Sequence, residues 1–509
     1  MSFALCSLLF ALPWVARLWS AQYGPERYHH VYIAFTNDMH GSLVPSEGFW
    51  LNPDFPPPVG NGPAATTVIR ELRAEAASKG YGFLYVDLGD MFSGTPLGEF
   101  TKGQALIDFL NYNGCALHVP GNHDFDLGES LFVQLVRRSQ TPFLCANIVK
   151  QGTDSLWPVM MPDTIIELAG VKLGFFGLLT HYMKLSSSEQ SFGGLDVIKH
   201  YTAAHREIEK LRARGADVII ALTHIGYSHD RNLADSIPGI DVIIGGHSHT
   251  GLNEMVETPR YHTAIAQTYG RLSTVGLVDL TFDMATRRLS GYNGNLIELS
   301  GDEIDPDTTM SRMVETWRAQ AETGFDKVIG SARHRITRAG PDESAMGDLL
   351  TDAMRAAFQG DVAMHVGVRG ELPPGEITYR DAYNSEPFGN TVVTMTMTGK
   401  QLWDALEVSV NGHHAIFQVS GLRMLYNPAQ PIGKRLVSVQ VGDKPLEPDR
   451  EYKVVTSSYL AAGSGDYGVF TVARDIEDSY TTIRDVLADY IRQNSPIDAR
   501  VEGRILSRK

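Results

Sequence analysis

Short apolar runs rich in Val, Ile, Leu and Phe recur from residue 31 to about residue 300, and stretches with a helical spacing of apolar positions separate them. The runs at 31–36, 83–88, 117–120, 143–146, 173–179, 218–223 and 242–244 predict strands, and the stretches 64–79, 104–113, 129–138 and 202–214 predict helices. Such alternation predicts a layered α/β fold. Segments 262–266 and 273–283 have no helix between them and predict antiparallel strands. Residues 52–63 read as a loop by composition. A polar, proline-containing break at 301–308 precedes a helical pattern at 309–323, which reads as a connector. Beyond it, helices at 346–358 and 399–410 and strands at 392–398 and 452–457 predict a second α/β domain. The expected division is a leader at 1–27, a first domain at 28–305, a connecting helix at 306–325 and a second domain at 326–509.

A chain of 509 residues that is 43% hydrophobic and 20% charged can build more than one core. The formal net charge of −15, with no Lys/Arg-rich run, excludes a sequence-independent nucleic-acid binder. It leaves small anions open, because metals or a few arginines can supply local positive charge. Cys6, Cys115 and Cys145 fit neither a zinc knuckle nor a redox CxxC and read as small buried hydrophobes, with a Cys115–Cys145 disulfide open in an oxidising compartment. Residues 2–16 form an apolar segment too short to span a bilayer, which reads as a signal-peptide core and predicts an exported, periplasmic or extracellular protein. No Lys or Arg precedes it and Trp19 stands close to a cleavage region at Ser20 and Ala21, so an uncleaved anchor is the alternative. No other segment is long and apolar enough for a transmembrane helix, and the pattern carries no information on oligomeric state.

Five polar motifs stand at or just past the C-terminal ends of predicted strands, where open α/β sheets hold their ligands. They are Asp38-Met39-His40-Gly41, Gly89-Asp90, Gly121-Asn122-His123-Asp124-Phe125-Asp126, His224, and Gly245-Gly246-His247-Ser248-His249. Carboxylate, carboxamide and imidazole donors without a thiolate suit Mn, Zn, Fe, Co or Mg rather than a cysteine-built zinc site. Asp-x-His in an extended segment puts Asp38 and His40 on one side, so both can grip one ion. His247 and His249 share that spacing, but in a glycine-flanked turn they could diverge to separate ions. Asp90, alone at its strand end, is the candidate to bridge two cations. Two cations roughly 3.5–4 Å apart clamp the attacking and leaving oxygens of an in-line displacement at phosphorus and make hydroxide available near neutral pH. His29, His30, His118, His181, His200, His205, His262, His413 and His414 read as packed or surface residues.

In this order the motifs, with Asn37 before the first and Thr223 before His224, resemble the calcineurin-like metallophosphoesterases. The subgroup is that of the 5'-nucleotidases, the UDP-sugar hydrolases and the 2',3'-cyclic-nucleotide phosphodiesterases. Glu343-x-x-x-Gly347-Asp348-Leu349, Pro387-Phe388-Gly389-Asn390, Gln418-Val419-Ser420-Gly421-Leu422-Arg423 and Tyr459-Leu460-Ala461-Ala462-Gly463 resemble that family's nucleotide-binding domain. The resemblance implies a four-layer metallophosphoesterase β-sandwich flanked by helices, followed by a second α/β substrate-binding domain. It implies two divalent metal ions (Mn, Zn, Co or Mg), one held by Asp38, His40, Asp90 and His249, the other by Asp90, Asn122, His224 and His247. It implies a catalytic dyad of His123 oriented by Asp126, a phosphate-binding Arg369, and Phe388 and Tyr459 stacking on the base, a contact tolerant of base identity. The chain departs from the family pattern at Met364-His365-Val366-Gly367-Val368-Arg369, where an Asn and two glycines are replaced. It departs again at Gly463-Ser464-Gly465-Asp466-Tyr467, which shifts the ribose-contacting Asp466 by one place.

The expected function is hydrolysis of nucleoside 5'-monophosphates to nucleoside and phosphate by metal-bound hydroxide, with the nucleotide as a small-molecule partner. Cyclic-nucleotide phosphodiesterase and UDP-sugar hydrolase are the alternatives. A thiosulfohydrolase would not need the aromatic pair, and a non-catalytic nucleotide-binding surface protein would not need every ligand and the dyad kept.

Overall fold

The computed structural model describes residues 27–48, 57–181, 193–338, 342–387, 389–413, 415–461, 463 and 467–508. The apolar leader and Cys6 lie outside them, and none of the described helices is long and apolar enough to cross a membrane.

Two sheets stack face to face in the first half. One runs Arg288–Glu298, Thr274–Asp283, Tyr28–Thr36, Gly82–Asp87, Leu117–His118; the other runs Val256–Glu257, Ala264–Gln267, Val242–Gly245, Val218–His224, Val171–Leu179, Asp163–Leu168. Their inner faces interdigitate through Val31, Ile33, Phe35, Val86, Phe175, Ile220 and Ile244. The helices Asn61–Lys79 and Gln104–Asn113 cover the outside of the first sheet, and His200–Ala213 and Tyr227–Ser236 the outside of the second, each against its own apolar cluster. The result is helix, sheet, sheet, helix: four layers, with strands apolar on both faces because both faces are covered.

The structure corrects the sequence reading at three points. Segment 143–146 is not a strand: Leu144 bonds back to His118 of the first sheet, whereas Ala146 already bonds to Gly177 of the second. The chain crosses from the first sheet to the second there, making isolated bridges but no ladder with either, and the strand Ile148–Lys150 begins only afterwards. Only Leu117–His118 of segment 117–120 is strand, since Pro120 has no N–H to continue a ladder. Ala264–Gln267 pairs parallel with Val242–Gly245 and antiparallel only with the short Val256–Glu257, because the intervening chain is long enough to cross over without a helix. Cys115 and Cys145 are separate buried thiols.

The helix Thr308–Ala321 starts on Asp307, whose carboxylate caps the N–H groups of Thr309 and Met310, and buries Met310 and Val314 in the first-domain core. The second half centres on a five-stranded sheet ordered Gln418–Ser420, Val362–His365, Glu451–Ser457, Thr391–Thr398, Arg474–Thr482. Helices Ala345–Phe358 and Ile483–Asn494 pack on one face and Gly399–Ser409 on the other. The halves meet where Arg484 pairs with Glu99 and lies over the Tyr383 ring, with Phe100 against Phe325.

Candidate metal centre and active site

The C-terminal ends of Tyr28–Thr36, Gly82–Asp87, Leu117–His118, Val218–His224 and Val242–Gly245 open on one side of the stacked sheets, and the polar loops follow from them. Backbone bonds continue past the strand ends: Asp38 N–H to Gly89 O, His40 to Asp90 and Gly41 to Met91, at 2.8, 2.9 and 2.7 Å. The first two loops therefore run side by side. Asp124 ties the third to them by accepting from the N–H groups of Asp90, Met91 and Gly121. Gly121 is required by contact, for a Cβ there would lie 2.1 Å from Asp90 Oδ1.

Asp38, His40, Asp90, His247 and His249 all adopt positive φ, at 51, 46, 53, 80 and 51°. Asp38 and His40 therefore come together through a left-handed turn and not through the two-residue alternation of an extended segment. Each such residue costs on the order of 1–2 kcal/mol, a strain tolerated where the surroundings over-determine a site.

The side chains converge in two groups, Asp38 with His40 and His249, and Asp90 with His224 and His247, the ligand atoms of each lying within 4.8 Å of one another. His40 Nε2 faces His249 Nε2 at 3.1 Å, and His249 Nε2 lies 3.3 Å from Asp38 Oδ1. Asp90 Oδ2 stands 3.2 Å from His224 Nε2 and 4.0 Å from His40 Nε2, between the groups. The outer ring nitrogens are fixed, His40 Nδ1 on Ser93 O at 2.9 Å and His224 Nδ1 on Leu88 O at 2.5 Å, the arrangement that orients a metal-binding imidazole.

The donor set fits divalent cations. Asp38 Oδ1, Asn122 Oδ1 and His224 Nε2 are buried without a hydrogen-bond partner, a cost of about 1–3 kcal/mol each unless something binds there. Burial depresses His40 to about 3, and burial with the charge of His224 depresses His247 to about 4, so both are neutral imidazoles. Burial would raise Asp38, but His224 and His249 hold it down at about 2. Burial opposes a charge on His224, but Asp90 and Asp38 lift it to about 10, so a cation taking that nitrogen must displace a proton.

Beside this centre His123 Nδ1 contacts Asp126 Oδ2 at 2.8 Å, and Ser93 Oγ donates to the same oxygen at 2.6 Å. The His123 N–H donates to Asp90 Oδ1 at 2.8 Å, which ties the dyad to the centre. Burial works against the imidazolium, but Asp126 and Asp90 outweigh it and lift His123 to about 10.

Residues 31–251 match the calcineurin-like phosphoesterase family and residues 328–472 the 5'-nucleotidase C-terminal domain. Similar proteins include an apyrase of Tabanus yao, 29% identical over 88% of each chain, and a 5'-nucleotidase of Diplobatis ommata, 29% identical over 86% of this chain and 83% of that one. The crystal structure of a 5'-nucleotidase precursor from Thermus thermophilus superposes with a TM-score of 0.75 at 27% identity, over 94% of this chain and 99% of that one. The chain thus joins a calcineurin-like phosphoesterase domain to a 5'-nucleotidase C-terminal domain. It is a phosphoesterase, with two candidate metal-ligand groups in its first domain.

The phosphoesterase's second domain offers a different kind of surface. Arg369 and Tyr459 are exposed, Tyr459 at 45% with its ring 6.4 Å from that of Tyr467. Phe388 and Asp466 lie outside the described residues. The departing stretch before Arg369 is anchored by His365, which is buried with Nε2 3.0 Å from Glu386. Sequence reasoning missed the supports: Ser93 on Asp126, Asp124 on three backbone donors, Asn37 bonding Asp38 and Thr268, and Gln267 bonding Ser248, Thr250 and Gly246. Asp124 stands inside the third motif, but nothing in its spacing announces partners more than thirty residues away. His118, read as packed, is fully buried against Asp87.

Proposed function

We propose that this phosphoesterase hydrolyses nucleoside 5'-monophosphates to nucleoside and orthophosphate. The observation that carries the proposal is the pair of ligand groups joined through Asp90, with a positively charged His123 beside them. Asp38, His40, Asp90 and His249 would hold one divalent cation, and Asp90, Asn122, His224 and His247 a second. Cations held there supply Lewis acidity and charge neutralisation at phosphorus and make water a competent nucleophile at neutral pH.

The chain's own groups do the rest. His123, kept protonated and aimed by Asp126, donates to a phosphoryl oxygen as negative charge grows on it. Ser93 fixes Asp126, so the imidazolium has one orientation. Arg369 binds phosphate from the second domain, Tyr459 and Phe388 stack on the base, and Asp466 contacts the ribose. The apolar leader supports an exported enzyme acting on nucleotides outside the cytoplasm.

The test is phosphate release by Mn-, Zn- and Co-loaded protein from 5'-monophosphates, 3'-monophosphates, 2',3'-cyclic monophosphates and UDP-glucose, with His123→Ala in parallel. Turnover of 5'-monophosphates that the variant lacks supports the proposal. Turnover confined to cyclic or sugar-linked esters moves the substrate and leaves the metal centre in place. Thiosulfate in the same panel checks the thiosulfohydrolase alternative.

A further inference from the structure

Arg271 occupies a position whose backbone is ill suited to it. Gly270, Arg271 and Leu272 run consecutively at φ values of 83, 55 and 45°. A left-handed run of this kind favours glycine or asparagine and penalises long side chains. It is nonetheless pinned throughout. The Arg271 N–H donates to Asp38 O at 2.7 Å, Asn61 Nδ2 donates to Arg271 O at 2.9 Å, Ser273 Oγ bonds Gly270 O at 2.8 Å, and Leu272 is buried. Gly270 presses on both first-group ligands, since a Cβ there would sit 3.1 Å from Asp38 Cβ and 3.4 Å from His249 Cγ. If the turn served only to brace Asp38, a glycine at 271 would do so with less strain. The side chain is the feature left to explain.

We propose that Arg271 is a phosphate-binding residue contributed by the catalytic domain, which grips the substrate phosphoryl group, and the phosphate product, from the side opposite Arg369. The proposal rests on the phosphoesterase reading and extends it to a residue outside every motif in the sequence. Arg271 is half-buried beside Asp38, and its guanidinium is close enough to Arg369 of the second domain to be repelled by it. Burial first, then the Arg369 charge, lower its pKa, with Asp38 pulling the other way. Two arginines brought towards each other from different domains beside the metal-ligand groups form a positively charged surface that an anion complements, and the planar fork of arginine suits a phosphoryl group. The strained backbone is then the means of aiming that fork.

The experiment is calorimetric titration of inorganic phosphate into Mn-loaded full-length protein, for wild type, Arg271→Met, Arg271→Lys and Arg271→Gly, with metal content and melting temperature recorded for each. Arg271→Met is expected to weaken phosphate binding roughly 10- to 100-fold, the size of a lost charge-assisted hydrogen bond, with full metal content. Arg271→Lys should recover part of the affinity. Arg271→Gly should bind phosphate as poorly as Arg271→Met yet melt no lower than wild type, because strain has been released. Unchanged phosphate affinity in Arg271→Met overturns the proposal. So does a loss of affinity that follows loss of metal or of fold, since that is what a bracing role predicts. If wild type binds phosphate through Arg271 but hydrolyses no nucleotide, the clamp stands and the nucleotide assignment falls.

Discussion

The two halves of the molecule present their candidate site residues in opposite ways. In the first, the candidate ligands are mostly buried, five of them hold left-handed backbone conformations, and the outer nitrogens of His40 and His224 rest on carbonyls. In the second, Arg369 and Tyr459 stand exposed. On the proposed function, the difference separates chemistry from recognition. A cation centre must be assembled before substrate arrives, because reorganising charges during reaction raises the barrier. A face that stacks on bases can stay open, because stacking is tolerant of geometry and of base identity.

The comparison breaks most easily at Asp90. Asp90→Asn is expected to lower kcat by on the order of a thousandfold and to leave metal loading incomplete, because one charge serves both ligand groups. Metal content and single-turnover rates together check this, and near-normal turnover would remove Asp90 from its central place.

A subtler cut is Asp124→Asn. The carboxylate accepts from three backbone N–H groups, and an amide turns one of those contacts into donor against donor. Metal affinity should fall about 10- to 100-fold with every ligand still present. Competition with a fluorescent chelator measures it; unchanged affinity would mean that the loops hold without their tie.

On the open side, Tyr459→Ala should raise KM for nucleoside 5'-monophosphates by roughly 5- to 100-fold, the value of one stacked base, and leave an aryl phosphate of similar reactivity unaffected. Equal losses on both substrates would show that the second domain acts on the chemistry after all.

The smallest effect concerns a buried carboxyl of the second domain. Asp348 is buried beside Glu343 with both carboxyl oxygens lacking a hydrogen bond, and burial, opposed by Arg504, lifts it to about 8 from an ordinary 3.8. The folded state thus binds a proton that the unfolded chain has released, so this group's contribution to stability falls as pH rises from about 4 to about 8. Asp348→Asn should flatten that slope and gain on wild type by on the order of a few degrees of melting temperature at the alkaline end. Parallel melting curves at every pH would show that Asp348 ionises freely in the fold.

The layered fold was legible because continuous apolar runs alternate with helical spacing, and two covered sheets require such runs. It failed at 143–146, where an apolar segment passes between sheets with isolated bridges and no ladder, since hydrophobicity records burial and not hydrogen-bond partners.

The sequence by itself determined the donor chemistry: which carboxylates, imidazoles and carboxamide stand at strand ends, and the absence of a thiolate among them. These follow from residue type and local order, which the chain carries directly. Residue spacing left open which imidazole joins which group; the family resemblance implied it, and the tertiary structure places His249 with Asp38 and His40, His247 with Asp90 and His224, and Asp90 between. Tertiary structure alone brought Arg271 towards Arg369. Those pairings span from tens to more than two hundred residues, and they are set by left-handed turns and backbone ties whose partners no local pattern names.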